Sequence, residues 1–352
     1  MNYKLKFDIS NLCHEHITGA GIYTKELFTS LQNNMPLEHI SAVYKISKLK
    51  KKHLIRKHVS GDMSYYIPEL APLFFDKNDI HHIPECNRVP IIRNNKVVIT
   101  VHDMLSYYPE WADTQVLKAY LQNEKYIFYK AAPQFVICVS KFTEREFLKF
   151  YPHYEGKTKV VYHGLDHIAP AGIELNDSQK PYILYVGTIE KRKNVSTLID
   201  AFDLFVNKYP DYELVIIGKP GAEGEQTIEK IKRYHARGNV HYHGYVSQSK
   251  LKAYYSNASL FVYPSLYEGF GFPILEAMKM GVPVVCSDTG AMAEIGGDLA
   301  FKCHAKSPDD ICHAMISALE NRINPDMYMG YAQQFTWQKC ALDTIEAYNN
   351  LA

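Results

Sequence analysis

The chain alternates between short apolar runs rich in Val, Ile and Tyr and longer segments in which apolar residues recur with a helical period. This alternation predicts parallel sheets whose strands are joined by crossover helices. In the first half we expect strands at residues 4–9, 40–46, 79–83, 96–101, 134–139 and 159–163. In the second half we expect them at residues 182–187, 213–218, 240–244, 260–264, 282–286 and 299–302.

A polar stretch, LDHIAPAGIELNDSQK, separates the two halves. It contains Pro170, Gly172 and Asn176 and has no clear period, so we interpret it as a linker. The fold class is therefore α/β, with two doubly wound domains of similar size at residues 1–168 and 178–330. Ligands of such sheets bind outside the carboxyl ends of the strands, and we expect the two domains to face each other across a central cleft.

Composition narrows the class of protein. The 352 residues are 47% hydrophobic and 22% charged, which excludes disordered and collagen-like chains. The 39 Lys and Arg nearly balance the 38 Asp and Glu, so the charge gives no reason to expect a nucleic-acid partner. The first 165 residues, however, hold 22 Lys and Arg against 16 Asp and Glu, and a basic half could face an anionic surface.

The cysteines and the first residues predict the compartment. Seven scattered cysteines without a Cys-x-x-Cys pair argue against a disulfide framework or a zinc cage and fit a reducing environment. The N-terminus MNYKLKFDIS lacks the apolar core of a signal peptide, and no stretch reaches the roughly 20 apolar residues of a membrane span. We expect a cytoplasmic protein, with peripheral contact at the inner face of the membrane left open.

The segment YPSLYEGFGFPILEAMKMGVP follows a predicted strand and contains a helix with Pro273 in its first turn. Gly269 and Gly271 allow close approach to a ligand, and the start of the helix offers N–H groups to an anion. Glu268 before the helix and Glu276 inside it can then address different hydroxyl groups of one ligand. The alternative is that Glu276 only complements the helix dipole from a surface position.

A second segment, YILYVGTIEKRKN, consists of a buried strand ending at Gly187, a tight basic loop and a helix whose expected cap is Asn194. The basic residues are Lys191, Arg192 and Lys193. At the carboxyl end of a strand they are well placed to neutralise a diphosphate. A solvated surface loop is the alternative.

Taken together, these motifs resemble those of the retaining nucleotide-sugar glycosyltransferases of family 4, which have the GT-B fold of two Rossmann-like domains. The similarity covers nearly the whole chain, from TGAGIYTKEL through VHDMLSYYPEW, VSKFTEREF, VVYHGLD and HYHGYVSQSKL to a closing FTWQKCALDTIEAY. Within the family, the chain is similar to bacterial mannosyl- and rhamnosyltransferases. It implies an N-terminal acceptor-binding domain, a C-terminal nucleotide-sugar-binding domain and, at residues 331–352, a helix that packs back toward the N-terminal domain.

The resemblance assigns roles to residues of the segment YPSLYEGFGFPILEAMKMGVP. Glu268 is expected to contact hydroxyl groups of the donor sugar, and Glu276 is expected to hold the ribose diol. Backbone N–H groups of Phe270, Gly271 and Phe272 are expected to bind the sugar and the diphosphate.

The resemblance also assigns the basic loop. Lys193, with Arg192 beside it, is expected to bind the diphosphate and to stabilise its growing charge, next to Gly187. Many family members have Arg where this chain has Thr188, so one cationic contact is missing or is supplied by another residue, for which Arg192 is the candidate.

Three further groups complete the expected site. Gly19, Ala20 and Gly21, on the loop before the first helix, are expected to close over the diphosphate. The nucleotide base is expected near Tyr245 and Val246, although simple packing is an equal reading for Tyr245.

His102 follows a predicted strand in the first domain and is expected near the acceptor and the sugar. The alternative is a strand-end histidine bonded to its own backbone or to Asp103. No Asp-x-Asp sequence is present, and the GT-B resemblance implies no metal and no cofactor besides the donor substrate.

The function implied by the resemblance is retaining transfer of a hexose from a nucleoside-diphosphate sugar to a hydroxyl of a growing glycan or a lipid-linked acceptor, as in bacterial surface polysaccharide synthesis. GDP-mannose or a related GDP-sugar is the first expectation for the donor, and a UDP-sugar is the second. The alternatives are a non-catalytic nucleotide-sugar-binding partner and another GT-B enzyme such as a sugar-nucleotide epimerase. Neither the acceptor, nor the linkage, nor the oligomeric state follows from the sequence.

The basic segment KISKLKKKHLIRKH, residues 45–58, carries seven Lys and Arg in fourteen residues, with Ile46, Leu49, Leu54 and Ile55 interspersed. It could meet anionic lipid as an amphipathic surface, or it could be a solvated loop.

Overall fold

A computed structural model describes residues 3–15, 19–59, 63–67, 76, 78–86, 96–111, 114–166, 180–221, 224–235 and 238–351. The chain divides into two compact units. Unit 1 comprises Met1–Tyr107, Gln115–His167 and Phe335–Ala352, and unit 2 comprises Tyr108–Thr114 and Ile168–Gln334. Most of the predicted linker, residues 167–179, lies outside the described residues.

Unit 1 contains a parallel sheet in the order β3-β2-β1-β4-β5-β6-β7. Its strands are β1 Leu5–Asp8, β2 Ile40–Lys45, β3 Met63–Tyr66, β4 Ile80–Ile83, β5 Lys96–Val101, β6 Phe135–Cys138 and β7 Thr158–Val160. Its helices are α1 Gly19–Asn34, α2 Lys52–Ile55, α3 Thr114–Tyr126, α4 Lys141–Phe150 and, at the end of the chain, α12 Trp337–Asn349. The six strands expected here are confirmed, and β3 is an additional strand at the edge.

Unit 2 contains a parallel sheet in the order β10-β9-β8-β11-β12-β13. Its strands are β8 Tyr182–Val186, β9 Glu213–Ile217, β10 Val240–Gly244, β11 Leu260–Tyr263, β12 Val284–Ser287 and β13 Phe301–Cys303. Its helices are α5 Val195–Phe205, α6 Glu225–His235, α7 Gln248–Asn257, α8 Phe272–Lys279, α9 Gly290–Gly296, α10 Pro308–Glu320 and α11 Pro325–Ala332. All six strands expected in the second half are confirmed.

Each sheet reverses its strand order beside its first strand, because β1 pairs with both β2 and β4, and β8 pairs with both β9 and β11. Strands β8 and β11 are buried along almost their whole length, since crossover helices cover parallel sheets on both faces. The carboxyl ends of β8 and β11 therefore meet at the switch point where ligands of this architecture bind.

The last helix belongs to unit 1. Helix α12 packs against α1 and β6, and the Thr336 hydroxyl caps its start by accepting from the Lys339 N–H at 3.1 Å. The backbone at Gly164 lies close to the start of this helix: a Cβ added at Gly164 would lie 2.2 Å from the backbone nitrogen of Trp337. Glycine is therefore required where the chain leaves the sheet of unit 1.

Candidate active site

The basic turn Lys191–Lys193 follows β8 and is anchored to the loop after β11. The Leu266 N–H donates to the Arg192 carbonyl at 2.7 Å, and the Ser265 hydroxyl donates to the same carbonyl at 3.1 Å. Lys193 is buried, Arg192 is half-buried, and Lys191 is exposed. The turn therefore directs two of its three cations into the protein, against the solvated-loop alternative.

Glu268 lies on the loop after β11 and is surrounded by donors. Its Oε1 accepts from the Ser265 hydroxyl at 2.9 Å, from the Tyr263 hydroxyl at 3.0 Å and from the Lys193 ammonium. Its Oε2 forms a 3.1 Å ion pair with Nη1 of Arg192. These contacts hold the carboxylate in one orientation, because both oxygens are bound from different directions.

Further contacts extend this group. Nζ of Lys193 donates to the Tyr263 hydroxyl at 2.7 Å, and Nε of Arg192 pairs with Oε2 of Glu190 at 3.0 Å. Nη1 of Arg192 also donates to the Tyr267 carbonyl at 3.2 Å. We call the two cations and two carboxylates, Arg192, Lys193, Glu190 and Glu268, the charge cluster; its formal charges cancel.

The charge cluster perturbs the acidity of its members. Burial opposes the charge on Glu268, but Lys193, Arg192 and the hydrogen bonds outweigh it and lower the pKa to about 2. Burial, together with the charge of Arg192, lowers the pKa of Lys193 from its usual value. Burial and the adjacent Glu268 raise the pKa of the Tyr263 hydroxyl well above its usual value. Glu268 is thus ionised at neutral pH, while Tyr263 keeps its proton.

Helix α8 begins directly after the glycine-rich loop. Gly271 is its N-cap at φ +113°, a conformation that favours glycine, and Pro273 occupies its first turn as expected. Phe270 is buried and its ring meets that of Phe272 at a centroid distance of 5.3 Å. The backbone at Phe270, Gly271 and Phe272 thus forms the loop-to-helix junction, where N–H groups precede the first helical turn.

Glu276 lies one turn inside α8 and is half-buried. Its Oε2 accepts from the Tyr255 hydroxyl of α7 at 2.7 Å. Burial raises its pKa from the usual value, and the Tyr255 hydrogen bond partly offsets that effect. The alternative of a surface carboxylate that merely complements the helix dipole is not what the structure shows.

The remaining residues predicted in unit 2 surround the strand ends. Thr188 is exposed after Gly187 and carries no charge, so it supplies no cationic contact. Tyr245, directly after β10, is 54% exposed, and Nζ of Lys219 lies 4.5 Å from its ring centroid. Val246 beside it is half-buried.

His102 lies in unit 1, at the carboxyl end of β5. Its Nε2 is 2.7 Å from the Pro84 carbonyl, and the ring meets that of Tyr23 edge-on at 5.0 Å and that of His163 at 5.5 Å. Burial lowers its pKa from the usual value, so the ring is neutral at neutral pH. Its partner is thus the carbonyl of Pro84, which follows β4, and is neither its own backbone nor Asp103.

The expectation for the glycine loop is wrong in one respect. Gly19, Ala20 and Gly21 form the first turn of α1 instead of a loop before it. The Thr24 hydroxyl donates to the Ala20 carbonyl at 2.9 Å, and the Asn11 amide donates to the Thr24 hydroxyl at 2.7 Å, so this turn is fixed by side chains. Two glycines close to the start of a helix are tolerated because tertiary contacts outweigh their low helix propensity.

Asn194 also differs from its expected role. It is the N-cap residue of α5 with φ +60°, but its side chain does not cap the helix. Its amide donates to the Pro264 carbonyl at 3.1 Å and to the Ala305 carbonyl at 2.6 Å. Asn194 therefore ties the basic turn to two neighbouring loops.

Several residues that contact the predicted site residues were not predicted from the sequence. Tyr263 and Ser265 lie within the segment YPSLYEGFGFPILEAMKMGVP, so their short distance in sequence from Glu268 was a usable signal. Glu190 lies beside Arg192 and was likewise visible. Tyr255 comes from a separate helix, and no local pattern connects it with Glu276.

A cavity of about 490 Å³ opens in unit 1 at the carboxyl ends of β1, β2 and β4. Side chains of both charge signs line this cavity: the carboxylates of Asp8 and Glu85, and the ammonium groups of Lys45 and Lys48. Asp8 is buried and accepts from the Tyr66 hydroxyl at 2.5 Å. The cavity therefore offers donors and acceptors at the switch point of this sheet.

Within the described ranges, no group of three or more His, Cys, Asp or Glu side chains is arranged to hold a metal ion. The same part of the chain includes no helix with both the length and the apolar character needed to cross a bilayer.

A sequence model of the family described as "Glycosyl transferases group 1" matches residues 171–335. The O-antigen chain mannosyltransferase B of Escherichia coli is 32% identical over 274 residues, which cover 74% of this chain and 71% of that protein. The chain belongs to the group 1 glycosyltransferases. The serotype-specific mannosyltransferase WbdA of Escherichia coli is 31% identical over 179 residues, covering 48% of this glycosyltransferase and 22% of WbdA.

Among solved structures, HepE of Anabaena in complex with UDP and glucose superposes with a TM-score of 0.74 at 17% identity, covering 99% of this chain and 100% of HepE. At this identity the likeness concerns the fold, and the expected GT-B class is confirmed. The expectation of a glycosyltransferase similar to bacterial mannosyltransferases is confirmed at the level of the family.

Proposed function

We propose that this glycosyltransferase transfers a hexose, with retention of the anomeric configuration and without a metal ion, from a nucleoside-diphosphate sugar to a glycan hydroxyl. The observation that carries the proposal is the charge cluster, which brings Arg192 and Lys193 together at the carboxyl end of β8. Two buried or half-buried cations at a switch point can bind a diphosphate, a role that a metal ion fills in other enzymes, and their ion pairs with Glu190 and Glu268 hold them in position for it.

The reaction breaks the bond between the anomeric carbon and the phosphate oxygen, and a new bond forms from that carbon to the acceptor oxygen. Positive charge develops on the sugar, and negative charge develops on the departing nucleoside diphosphate. The acceptor attacks from the face that the phosphate leaves, and its proton passes to a phosphate oxygen. The protein then supplies charge and orientation, and no side chain becomes a nucleophile.

The two glutamates divide the donor between them. Glu268, fixed and ionised, faces the sugar hydroxyls and stabilises the positive charge that develops on the ring. Its carboxylate is shared between Lys193 and Arg192, so a bound diphosphate joins these cations in a larger ionic network. Glu276 accepts hydrogen bonds from the ribose diol, and the N–H groups at Phe270, Gly271 and Phe272 bind the sugar and phosphates.

The donor that we propose first is GDP-mannose, because two of the relatives described above are mannosyltransferases. A UDP-sugar is the second candidate, since HepE was solved with UDP. Tyr245 provides an exposed ring beside the expected base position, with Lys219 close to its face.

We further propose that the cavity in unit 1 takes the acceptor, with His102 and the first turn of α1 completing the site. Asp8 and Lys45 provide an acceptor and a donor for hydroxyl groups there. We propose a cytoplasmic enzyme that works beside the inner face of the membrane on a lipid-linked or growing polysaccharide.

The basic segment, residues 45–58, has two exposed apolar side chains that support contact with the membrane surface, while a third apolar side chain is buried. Its residues form the 3₁₀ turn Ile46–Lys51 and helix α2. Ile46 and Leu49 are exposed between lysines, whereas Ile55 is buried in unit 1. Two apolar side chains within a basic surface are suited to an anionic bilayer.

The test begins with thermal unfolding in the presence of GDP, UDP, ADP or dTDP, because ligand binding stabilises the folded state by mass action. The matching nucleotide sugar is then incubated with the protein and a mannose-terminated acceptor, and proton NMR reads the anomeric configuration of the product. We expect retention, with equal rates in the presence and absence of excess EDTA. Inversion, a metal-reversible loss of activity, or formation of an epimerised nucleotide sugar without transfer would overturn the proposal.

A further inference from the structure

Unit 2 contains a second cavity, of about 790 Å³, which lies beside the charge cluster and has Glu190 in its wall. It lies between the basic turn, the first turns of α5 and α6, and the short 3₁₀ turn Pro109–Trp111. That turn belongs to unit 2, and the ring of Tyr108 packs against that of Tyr267 at a centroid distance of 5.2 Å. The cavity is large enough for an organic ligand of several rings.

The lining of the cavity combines an aromatic ring with cationic, carboxylate and amide side chains. Trp111 supplies the ring, Lys191 and Arg233 supply donors, Glu225 supplies an acceptor, and Gln226 supplies both. The partial negative charge on an aromatic face attracts C–H groups, which a pyranose ring presents on one of its faces. A wall that carries both donors and acceptors can bind the hydroxyl groups at its edge.

Charge distinguishes this lining from an anion site. Lys230 is paired with Asp200 at 2.5 Å and donates to the Ser196 carbonyl at 2.9 Å. Glu190 pairs with Arg192, and the carboxylate of Glu225 lies on the wall. A phosphate would meet these carboxylates, whereas a neutral hydroxyl-rich ligand uses both signs of charge.

We propose that this cavity, which we call the Trp111 site, binds an oligosaccharide segment of the acceptor glycan away from the reacting end. The inference rests on the proposed function, because the ligand is the polymer that the enzyme extends. Glu190 and Lys191 connect the Trp111 site to the charge cluster through the basic turn, since they precede Arg192 and Lys193. Binding there holds the glycan during successive transfers and raises its local concentration.

The experiment uses the emission of Trp111 in the full chain. The protein has two tryptophans, and Trp337 is 3% exposed, so Trp111 is the more accessible reporter. Mannotriose is titrated as the probe, with inorganic phosphate and maltotriose in parallel. We expect a saturable change of emission with mannotriose, none with phosphate, and its disappearance in Trp111→Phe, which assigns the signal.

Variants of α6 provide the matched comparison. Arg233→Ala is expected to weaken mannotriose binding about tenfold, and Gln226→Ala about threefold. Lys232→Ala is the control, because Lys232 is adjacent to Arg233 and equally exposed but pairs with Glu229 outside the cavity. Nucleoside diphosphate affinity, measured by calorimetry, is expected to stay unchanged in all three variants.

The outcomes separate this inference from the proposed function. Absence of a mannotriose signal, a saturable phosphate signal, or equal mannotriose affinity in Arg233→Ala and Lys232→Ala would overturn the Trp111 site, even in an active enzyme. Mannotriose binding that depends on Arg233 would uphold it, even if no nucleotide sugar were turned over. In that case only the proposed reaction would fail.

Discussion

Two carboxylates on one short segment of unit 2 have opposite environments. Glu268, on the loop after β11, is bound by Lys193 and Arg192, and its pKa is lowered to about 2. Glu276, inside α8, accepts from the neutral hydroxyl of Tyr255, and burial raises its pKa. Seven intervening residues thus separate a carboxylate whose charge is stabilised by adjacent cations from one whose charge is opposed by burial.

The difference shows how one motif can serve two steps of a reaction. A carboxylate neutralised by adjacent cations is preorganised, so it can stabilise charge at the transition state without reorganising. A half-buried carboxylate beside a hydroxyl gains more from a ligand that donates hydrogen bonds, because the ligand replaces lost hydration. We therefore expect Glu268 to control kcat and Glu276 to control donor affinity.

The largest effect is expected from the cation that Glu268 binds. Lys193→Ala removes a buried ammonium from the proposed diphosphate site and should cost about 2 to 4 kcal/mol of transition-state stabilisation, read from kcat/KM. Arg192→Ala should cost less, because Arg192 also shares its charge with Glu190. Lys208→Ala, an exposed lysine paired with Glu320, is the control. Transfer by Lys193→Ala within a factor of about two of the wild type would exclude this role.

Glu268→Gln tests the charged half of the comparison. The variant should lower kcat by about 30-fold, equivalent to about 2 kcal/mol, while nucleoside diphosphate affinity is maintained. Affinity is maintained because Lys193 and Arg192 lose an anionic competitor. Steady-state kinetics and calorimetry with nucleoside diphosphate measure the two quantities, and Glu320→Gln is the surface control. A loss of nucleotide affinity as large as the loss of kcat would mean that the roles are reversed.

The same variant has a signature in stability. Because the folded-state pKa of Glu268 is depressed, its ionic contacts stabilise the protein above the unfolded pKa of about 4.5 and are lost as pH falls toward about 2. The free energy of unfolding of Glu268→Gln should therefore fall less steeply than that of the wild type across this window. Chemical denaturation at several pH values measures both slopes.

Much of this arrangement was predictable from sequence because it is local. The strands of both units were found from runs of Val, Ile and Tyr, and the loop-to-helix junction was found from Gly271 and Pro273. Strand β3 was missed because MSYY is a short edge strand without an apolar run, in which Tyr65 is 49% exposed. Edge strands bury one side at most, so their pattern is weak.

The side chains that contact the site residues were harder to predict from the sequence. The sequence placed Lys193 and Glu268 in separate motifs, but the ion pair between them depends on the adjacency of β8 and β11 in the sheet. The hydroxyl of Tyr255 reaches Glu276 from another helix, a contact that no spacing encodes. The start of α1 at Gly19 was misplaced because glycine suggests a loop, whereas Asn11 and Thr24 fix the helical turn.

Glu276→Gln tests the other half of the comparison. It should raise donor KM and weaken nucleoside diphosphate binding about tenfold, equivalent to about 1.4 kcal/mol, with kcat nearly unchanged. It should also raise the melting temperature at neutral pH, since an acid whose folded-state pKa is raised opposes folding once it is ionised. Calorimetry and thermal unfolding supply the two readings. A fall in kcat without a change in KM would assign Glu276 to the transition state.

The smallest effect concerns the hydrogen bond that supports Glu276. Tyr255→Phe removes a donor that favours the ionised carboxylate, so the pKa of Glu276 should rise further and nucleotide affinity should fall about threefold at neutral pH. The loss should grow as pH is lowered, because Glu276 of the variant takes up its proton at a higher pH than that of the wild type. Calorimetric titrations with nucleoside diphosphate from about pH 7.5 down to about pH 5.5 follow this change. Combining Tyr255→Phe with Glu276→Gln should add no further loss, since the hydroxyl acts through the carboxylate; fully additive losses, or a ratio of affinities independent of pH, would show that Tyr255 contributes by packing alone.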